Sequence, residues 1–183
     1  MRIIAGKYRS RKINPPAKLP VRPTTDLARE SLFNILNNLV KFQNIVALDL
    51  FSGTGAVSFE LMSRGCHDVT AVDQNRNCVE WIRSAADNFQ MENLHVRQAD
   101  SFRFIRQSPR KYDLVFADPP YSLERIEDIS RQVFENNLLK EGGWLVLEHP
   151  KEADFSGQPF FESHRKYGKV NFSFFHFTNE NDD

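Results

Sequence analysis

The sequence predicts an α/β fold built on a mostly parallel sheet with helices on both faces. Three observations carry this. Short apolar runs alternate with helix-patterned segments after Asn44, a glycine-bearing loop joins the first run to the next helix, and the chain closes on a hairpin pattern. Ile45 to Leu50, Val69 to Val72, Leu94 to Val96, Leu114 to Phe116 and Trp144 to Leu147 read as buried strands, rich in Val, Ile and Leu. Between them, Cys78, Val79, Ile82, Ala86 and Phe89 recur at helical spacing, as do Ile126, Ile129, Val133 and Phe134. Strands that alternate with helices imply right-handed crossovers and a covered parallel sheet. Phe161 to Lys166 and Val170 to Phe177 flank Tyr167-Gly168 and predict an antiparallel finish.

Ahead of the first strand, Thr25 is a candidate N-cap and Asp26 suits the first turn of a helix, whose apolar face is Leu32, Phe33, Leu36, Leu39 and Val40. Pro15, Pro16 and Pro20 stiffen the chain before it and set off a short N-terminal arm. The expected organisation is a basic arm or hairpin with its linker over 1–21, a main domain over 22–178, and a frayed acidic tail over 179–183.

With 183 residues, 40% hydrophobic and 26% charged, the chain is expected to fold around one core and not to be disordered. Its formal net charge is zero, so the whole molecule exerts no field that selects a partner. The distribution is uneven, because the first 25 residues hold seven basic side chains and no acid. Cys66 and Cys78 lack CxxC spacing and read as buried thiols, although one disulfide is arithmetically allowed. There is no apolar run of membrane-spanning length and no signal-peptide core, so the expected location is cytoplasmic.

The segment Asp49-Leu50-Phe51-Ser52-Gly53-Thr54-Gly55-Ala56 ends the first strand and opens a helix. Open α/β sheets bind ligands outside the carboxyl ends of their strands, and glycines there let backbone approach a ligand closely. A dinucleotide fingerprint wants a third glycine where Ser58 stands. An acid in the loop, Asp49, suits a ligand bearing a cationic amine better than a pyrophosphate. Asp73 ends the second strand, where an acid commonly accepts from ribose hydroxyls, and Asp100 follows the third. Jointly the three acids describe one cleft.

The strongest signal is Asp118-Pro119-Pro120-Tyr121, directly after the fourth strand. A chance match to one tetrapeptide in a chain this long is on the order of one in a thousand. The residue types suit methylation of a ring-attached amine. Such a nitrogen is a poor nucleophile because its lone pair is delocalised into the ring. Asp118 and the Pro119 carbonyl supply two acceptors that turn the lone pair outwards, and Pro119-Pro120 removes competing N–H donors. The carboxylate also stabilises the positive charge that builds on nitrogen. Tyr121 offers a face on which an extruded base stacks. The five histidines show no metal-ligand spacing.

DLFSGTGA at 49–56 followed by DPPY at 118–121 resembles the class I S-adenosyl-L-methionine-dependent methyltransferases that act on amino nitrogens. The opening MRIIAGKYRSRK, with RPTTD at 22–26 and RESLFN at 29–34, is similar to the bacterial RsmD family, which methylates N2 of one guanine in 16S rRNA. The resemblance implies a Rossmann-like, seven-stranded sheet whose last strand inserts antiparallel between the fifth and sixth. It implies that Asp49, Phe51, Gly53, Thr54 and Gly55 line the methionine end of the cofactor, that Asp73 holds the ribose and Asp100 the adenine, and that Asp118 to Tyr121 hold the guanine. Leu147-Glu148-His149-Pro150 matches the family only loosely, and His149 reads as a plain surface histidine.

Arg2, Lys7, Arg9, Arg11, Lys12 and Arg22 are the expected RNA phosphate contacts, which position the RNA without reading its sequence. So small a chain leaves little room for a recognition domain. The expected partner is therefore 16S rRNA within a partly assembled 30S subunit, met by a monomer that needs no membrane or metal. Three other readings compete. A DNA adenine-N6 methyltransferase shares the chemistry but usually carries extra duplex-recognition sequence. A protein-glutamine methyltransferase usually has Asn where Asp118 stands. A non-catalytic RNA-binding protein on a relic cofactor fold would not require the intact loop and Asp118.

Overall fold

In the computed structural model, which describes residues 1–21 and 25–178, Thr25 caps the first helix, its Oγ1 accepting from Ala28 N at 3.2 Å. That helix, α1 (Asp26–Leu39), buries Ala28, Leu32, Phe33 and Leu36 on one face. After a short 3₁₀ turn the chain alternates β1 (Val46–Leu50), α2 (Ala56–Ser63), β2 (Asp68–Asp73), α3 (Arg76–Asn88), β3 (Leu94–Gln98), α4 (Ser101–Gln107), β4 (Tyr112–Ala117), α5 (Asp128–Glu135) and β5 (Leu139–His149). The hairpin β6 (Phe161–Tyr167) and β7 (Val170–His176) ends the fold.

The described strands form one seven-stranded sheet in the order β3-β2-β1-β4-β5-β7-β6. β1 to β5 pair in parallel, and β7 lies antiparallel between β5 and β6, as the resemblance implied. Alternation splits the core into two layers. Ala47, Val69, Leu114, Phe116 and Phe172 face α1, α2 and α3. Leu48, Val72, Val115, Leu147 and Phe175 face α4 and α5.

Four details differ from the sequence reading. β5 begins at Leu139, well before Trp144, because Lys140-Glu141-Gly142-Gly143 continue the strand through a register shift against β4. The short helix α4 is an addition, capped by Asp100, whose Oδ1 accepts from Arg103 N at 2.8 Å. The N-terminal arm is not held apart by its prolines. Arg2 and Lys12 form an antiparallel bridge, and Ile3, Tyr8 and Ile13 are buried in the main core. His149 is not a surface residue: it is 1% exposed, its Nε2 lies 2.8 Å from Ser173 Oγ and its Nδ1 2.8 Å from Pro150 O. The insertion of β7 beside β5 covers it, and burial lowers its pKa below the usual histidine value. Cys66 and Cys78 are free, buried thiols, and burial pushes them up to about 12 and about 11.

Candidate active site

The carboxyl ends of the parallel strands open into one cavity of about 700 Å³. This is an ordinary size for a small-molecule site. Asp49, Asp73, Asp100, Asp118 and Glu148 all line it, one acid from the end of each of β1 to β5. The convergence follows from pairing. Leu50 and Ala117 are register partners, so Phe51 and Asp118 leave the sheet side by side, and Asp118 N donates to Leu50 O at 3.4 Å.

Asp49 is 1% exposed, and burial pushes its carboxyl up to about 7. Ser58 works against that shift, donating to Oδ2 from its hydroxyl at 2.5 Å and from its backbone N at 3.1 Å. The negative charges of Asp118 and Asp73 add to the rise. The residue that breaks the dinucleotide pattern is thus the one that fixes Asp49. A buried carboxylate with an unfavourable charge is a ready partner for a cation.

Asp73 ties the loop to the second strand: Oδ2 accepts from Gly53 N and Oδ1 from Asn75 N, both at 2.8 Å. Each oxygen keeps lone-pair capacity for a hydroxyl donor. Phe51 and Gly53 sit at φ 59° and 52°, a left-handed turn unusual for Phe and held by its surroundings. The Phe51 ring meets Phe102 edge-on, with centroids 6.5 Å apart. Gly55, expected at the cofactor, is not among the cavity's lining residues. A Cβ there would come within 2.8 Å of Phe59 and 2.9 Å of Ile82, so this glycine admits α2 against α3. Asp100 lines the cavity while capping α4.

Asp118, Pro119, Pro120 and Tyr121, which follow β4, line the same cavity. Tyr121 is 39% exposed, and its hydroxyl donates to Glu148 Oε1 at 3.4 Å. Glu148 is only 5% exposed and was missed by the sequence reading, although the strand-end rule that selects the other four acids selects it too. Val21 and Thr25, ahead of α1, also line the cavity.

Of the expected RNA contacts, Arg2, Lys7, Arg9, Arg11 and Lys12 are exposed, and Arg22 lies outside the described residues. The hairpin that carries them abuts the loop of the cavity, with Thr54 Oγ1 3.8 Å from Met1 Sδ. Arg11 also covers the rings of Tyr8 and Phe89, at 5.6 Å from each centroid. Among the described residues no three His, Cys, Asp or Glu side chains group as metal ligands, and no helix is long and apolar enough to cross a membrane.

A seven-stranded sheet of this order, with its ligand cavity at the strand ends and β7 inserted antiparallel, is the fold of the S-adenosylmethionine-dependent methyltransferases. Comparison with known proteins narrows this. The family model described as conserved hypothetical protein 95 matches residues 1–176, and the chain belongs to that family, the RsmD family. Ribosomal RNA small subunit methyltransferase D of Escherichia coli (strain K12) is 32% identical over 148 residues, covering 81% of this chain and 71% of that protein. The protein of the same name from Buchnera aphidicola (subsp. Baizongia pistaciae) is 29% identical over 148 residues, covering 81% of this chain and 75% of its own. The solved structure of yhhF from Escherichia coli superposes with a TM-score of 0.86 at 26% identity, over 98% of this chain and 99% of that one.

Proposed function

We propose that this protein transfers a methyl group from S-adenosyl-L-methionine to the exocyclic N2 amino group of one guanine in 16S rRNA. It acts as a monomer in the cytoplasm, on a partly assembled 30S subunit. The observation that carries the reading is the single cavity that Asp118 and Pro119 line together with the glycine loop and Asp49. The names borne by its relatives support small-subunit rRNA as the substrate.

The residues fit the cofactor. Asp49 offers a buried carboxylate to its ammonium, Asp73 offers acceptors to its ribose hydroxyls, and Asp100 stands where an adenine amine would lie. When bound, it supplies an activated sulfonium methyl. The remaining work is alignment and charge stabilisation. Asp118 and the Pro119 carbonyl accept the two hydrogens of the target amine and turn its lone pair towards the loop. Asp118 stabilises the developing positive nitrogen and takes its proton. Tyr121 holds the extruded base by its face. No step needs a metal.

The test is nucleoside mass spectrometry of ribosomal RNA from cells lacking the gene. One N2-methylguanosine should vanish from 16S rRNA and return on complementation. An unchanged rRNA profile, with methyl transfer to DNA adenine instead, would install the competing reading.

Two further outcomes are expected. The folded carboxyl of Asp49 titrates near 7, above the ordinary 3.8, so between those values the folded chain keeps a proton that the unfolded chain has lost. In the ligand-free protein this group therefore makes folding less favourable as pH rises through that window. The ammonium of the cofactor needs the ionised form, so affinity should strengthen between pH 6 and pH 8, by up to about tenfold per pH unit below the pKa. Titration calorimetry reads this, and Asp49→Asn should bind weakly at every pH. The second outcome concerns the hairpin. Arg9→Ala combined with Lys12→Ala should weaken RNA binding and lower the salt slope by about 1 to 2. An unchanged slope would remove the hairpin from the RNA interface. Arg11 is a poorer probe because it also covers two rings.

A further inference from the structure

Methyl transfer as described leaves one acid of the cavity without a task. Glu148 is the penultimate residue of β5, the parallel neighbour of β4. Ala117 and Leu147 are register partners, so Glu148 is the β5 counterpart of Asp118, one strand spacing of about 4.8 Å away. Alternation along β5 turns Leu147 into the layer beside α5 and Glu148 to the other face, where Phe116 and Val170 also line the cavity. The carboxylate is 5% exposed and takes a hydrogen bond from the Tyr121 hydroxyl at 3.4 Å. It therefore lies beside the tetrapeptide that receives the base, and its position is tied to the ring on which that base stacks.

A base whose amine lies between Asp118 and Pro119, read on its Watson–Crick edge, turns the ring nitrogen of that edge beside the amine towards a neighbouring wall. In guanine that nitrogen, N1, carries a hydrogen and is a donor; in adenine it is a bare acceptor. A carboxylate pairs with the first and repels the second. We propose that Glu148 selects guanine by accepting its N1–H, and that the Tyr121 hydroxyl positions the carboxylate for it. This rests on the guanine-N2 reading above, and deepens it by naming the group that tells guanine from adenine. Discrimination of this kind is large because the wrong base leaves a buried polar group facing a lone pair.

2-Aminopurine keeps the N2 amine but has a bare N1. It also lacks O6, so the change in base preference between wild type and variant, which leaves O6 out, isolates the contact. The test uses small subunits reconstituted with 16S rRNA that carries either guanine or 2-aminopurine at the nucleotide the wild type methylates. The wild type should favour guanine by about 10²-fold in kcat/KM. Glu148→Gln keeps one acceptor for N1–H and should lose about 10-fold on guanine, keep its affinity for S-adenosyl-L-methionine, and gain on 2-aminopurine, because its amide N–H donates to the bare N1. A merely structural role would lower both substrates together. The same guanine to 2-aminopurine ratio in both proteins overturns the assignment. Should that variant fold poorly, the wild type decides alone, and equal rates on the two bases overturn it. A wild type that makes no N2-methylguanosine overturns the underlying reading as well, and is distinguishable from either result.

Discussion

Asp118→Ala is expected to bind S-adenosyl-L-methionine as the wild type does and to lose methyl transfer by about 10³-fold. The two halves of that outcome come from different parts of the cavity. In the proposed reading cofactor affinity comes from Asp49, from Asp73 with its bond to Gly53 N, and from the turn at Phe51, all at the ends of β1 and β2, whereas Asp118 follows β4. The chemistry depends on an acceptor that orients the amine and meets positive charge as it forms, and alanine supplies neither. Removing Asp118 also takes a negative charge from the neighbourhood of Asp49. The Asp49 carboxyl then ionises more readily, so affinity for a cationic ligand should hold or improve slightly at neutral pH. Calorimetry with the cofactor and single-turnover transfer to RNA from methyl-labelled cofactor measure the two halves. Wild-type transfer by the variant would strip Asp118 of its role, and lost binding would mean that it builds the cavity instead.

Most of the parallel sheet was legible because a covered strand must be apolar on both faces, and Val69 to Val72 or Leu114 to Phe116 have no other reading at that length. What escaped notice depends on partners distant in sequence. His149 is polar and follows a strand, and nothing local says that β7 will insert against β5 and place Ser173 Oγ beside the ring. α4 has seven residues, too few for a period to be recognised. Lys140 to Gly143 look like a turn and form the irregular stretch of β5 between the pairs Tyr112–Leu139 and Leu114–Trp144, held by backbone bonds of Gly142 and Gly143 with Phe177, far along the chain. The site was more legible than the fold's edges. A ligand cavity at strand ends is built from residues adjacent to strands, so Asp49, Asp73, Asp100 and Asp118 were found by position. The spatial task of Gly55 was not, because it is set by Phe59 and Ile82 on helices that the loop precedes.

The basic hairpin looked like a free arm, and the reason it is not lies in one buried acid, whose removal should be the most damaging substitution outside the cavity. Glu60 is fully buried in α2. Its Oε2 accepts from Ile4 N at 2.8 Å, its Oε1 from Ala5 N at 3.1 Å and from Arg64 Nε at 2.8 Å. The next turn of the helix continues the attachment, with Ser63 O accepting from Lys7 N at 2.7 Å and Ser63 Oγ from Tyr8 N at 3.0 Å. The approach is so close that a Cβ on Gly6, at φ 82°, would stand 1.8 Å from Ser63 O. Glu60→Ala leaves two backbone N–H groups and a guanidinium, itself packed over the Phe33 ring at 4.6 Å, without their acceptor. Breaking a buried ion pair from one side costs about 3 to 5 kcal/mol. In a domain of this size that lowers Tm by roughly 6 to 20 °C. Hydrogen exchange separates local from global loss: amides of residues 3–13 should lose protection first, before those of β1 and β4. RNA affinity should fall with them, because the basic side chains on the hairpin lose their fixed position beside the cavity mouth. Glu60→Gln keeps one acceptor oxygen and should fall between the two. Wild-type Tm together with wild-type protection of the hairpin in Glu60→Ala would show that Ile3, Tyr8 and Ile13 hold the arm by apolar burial alone.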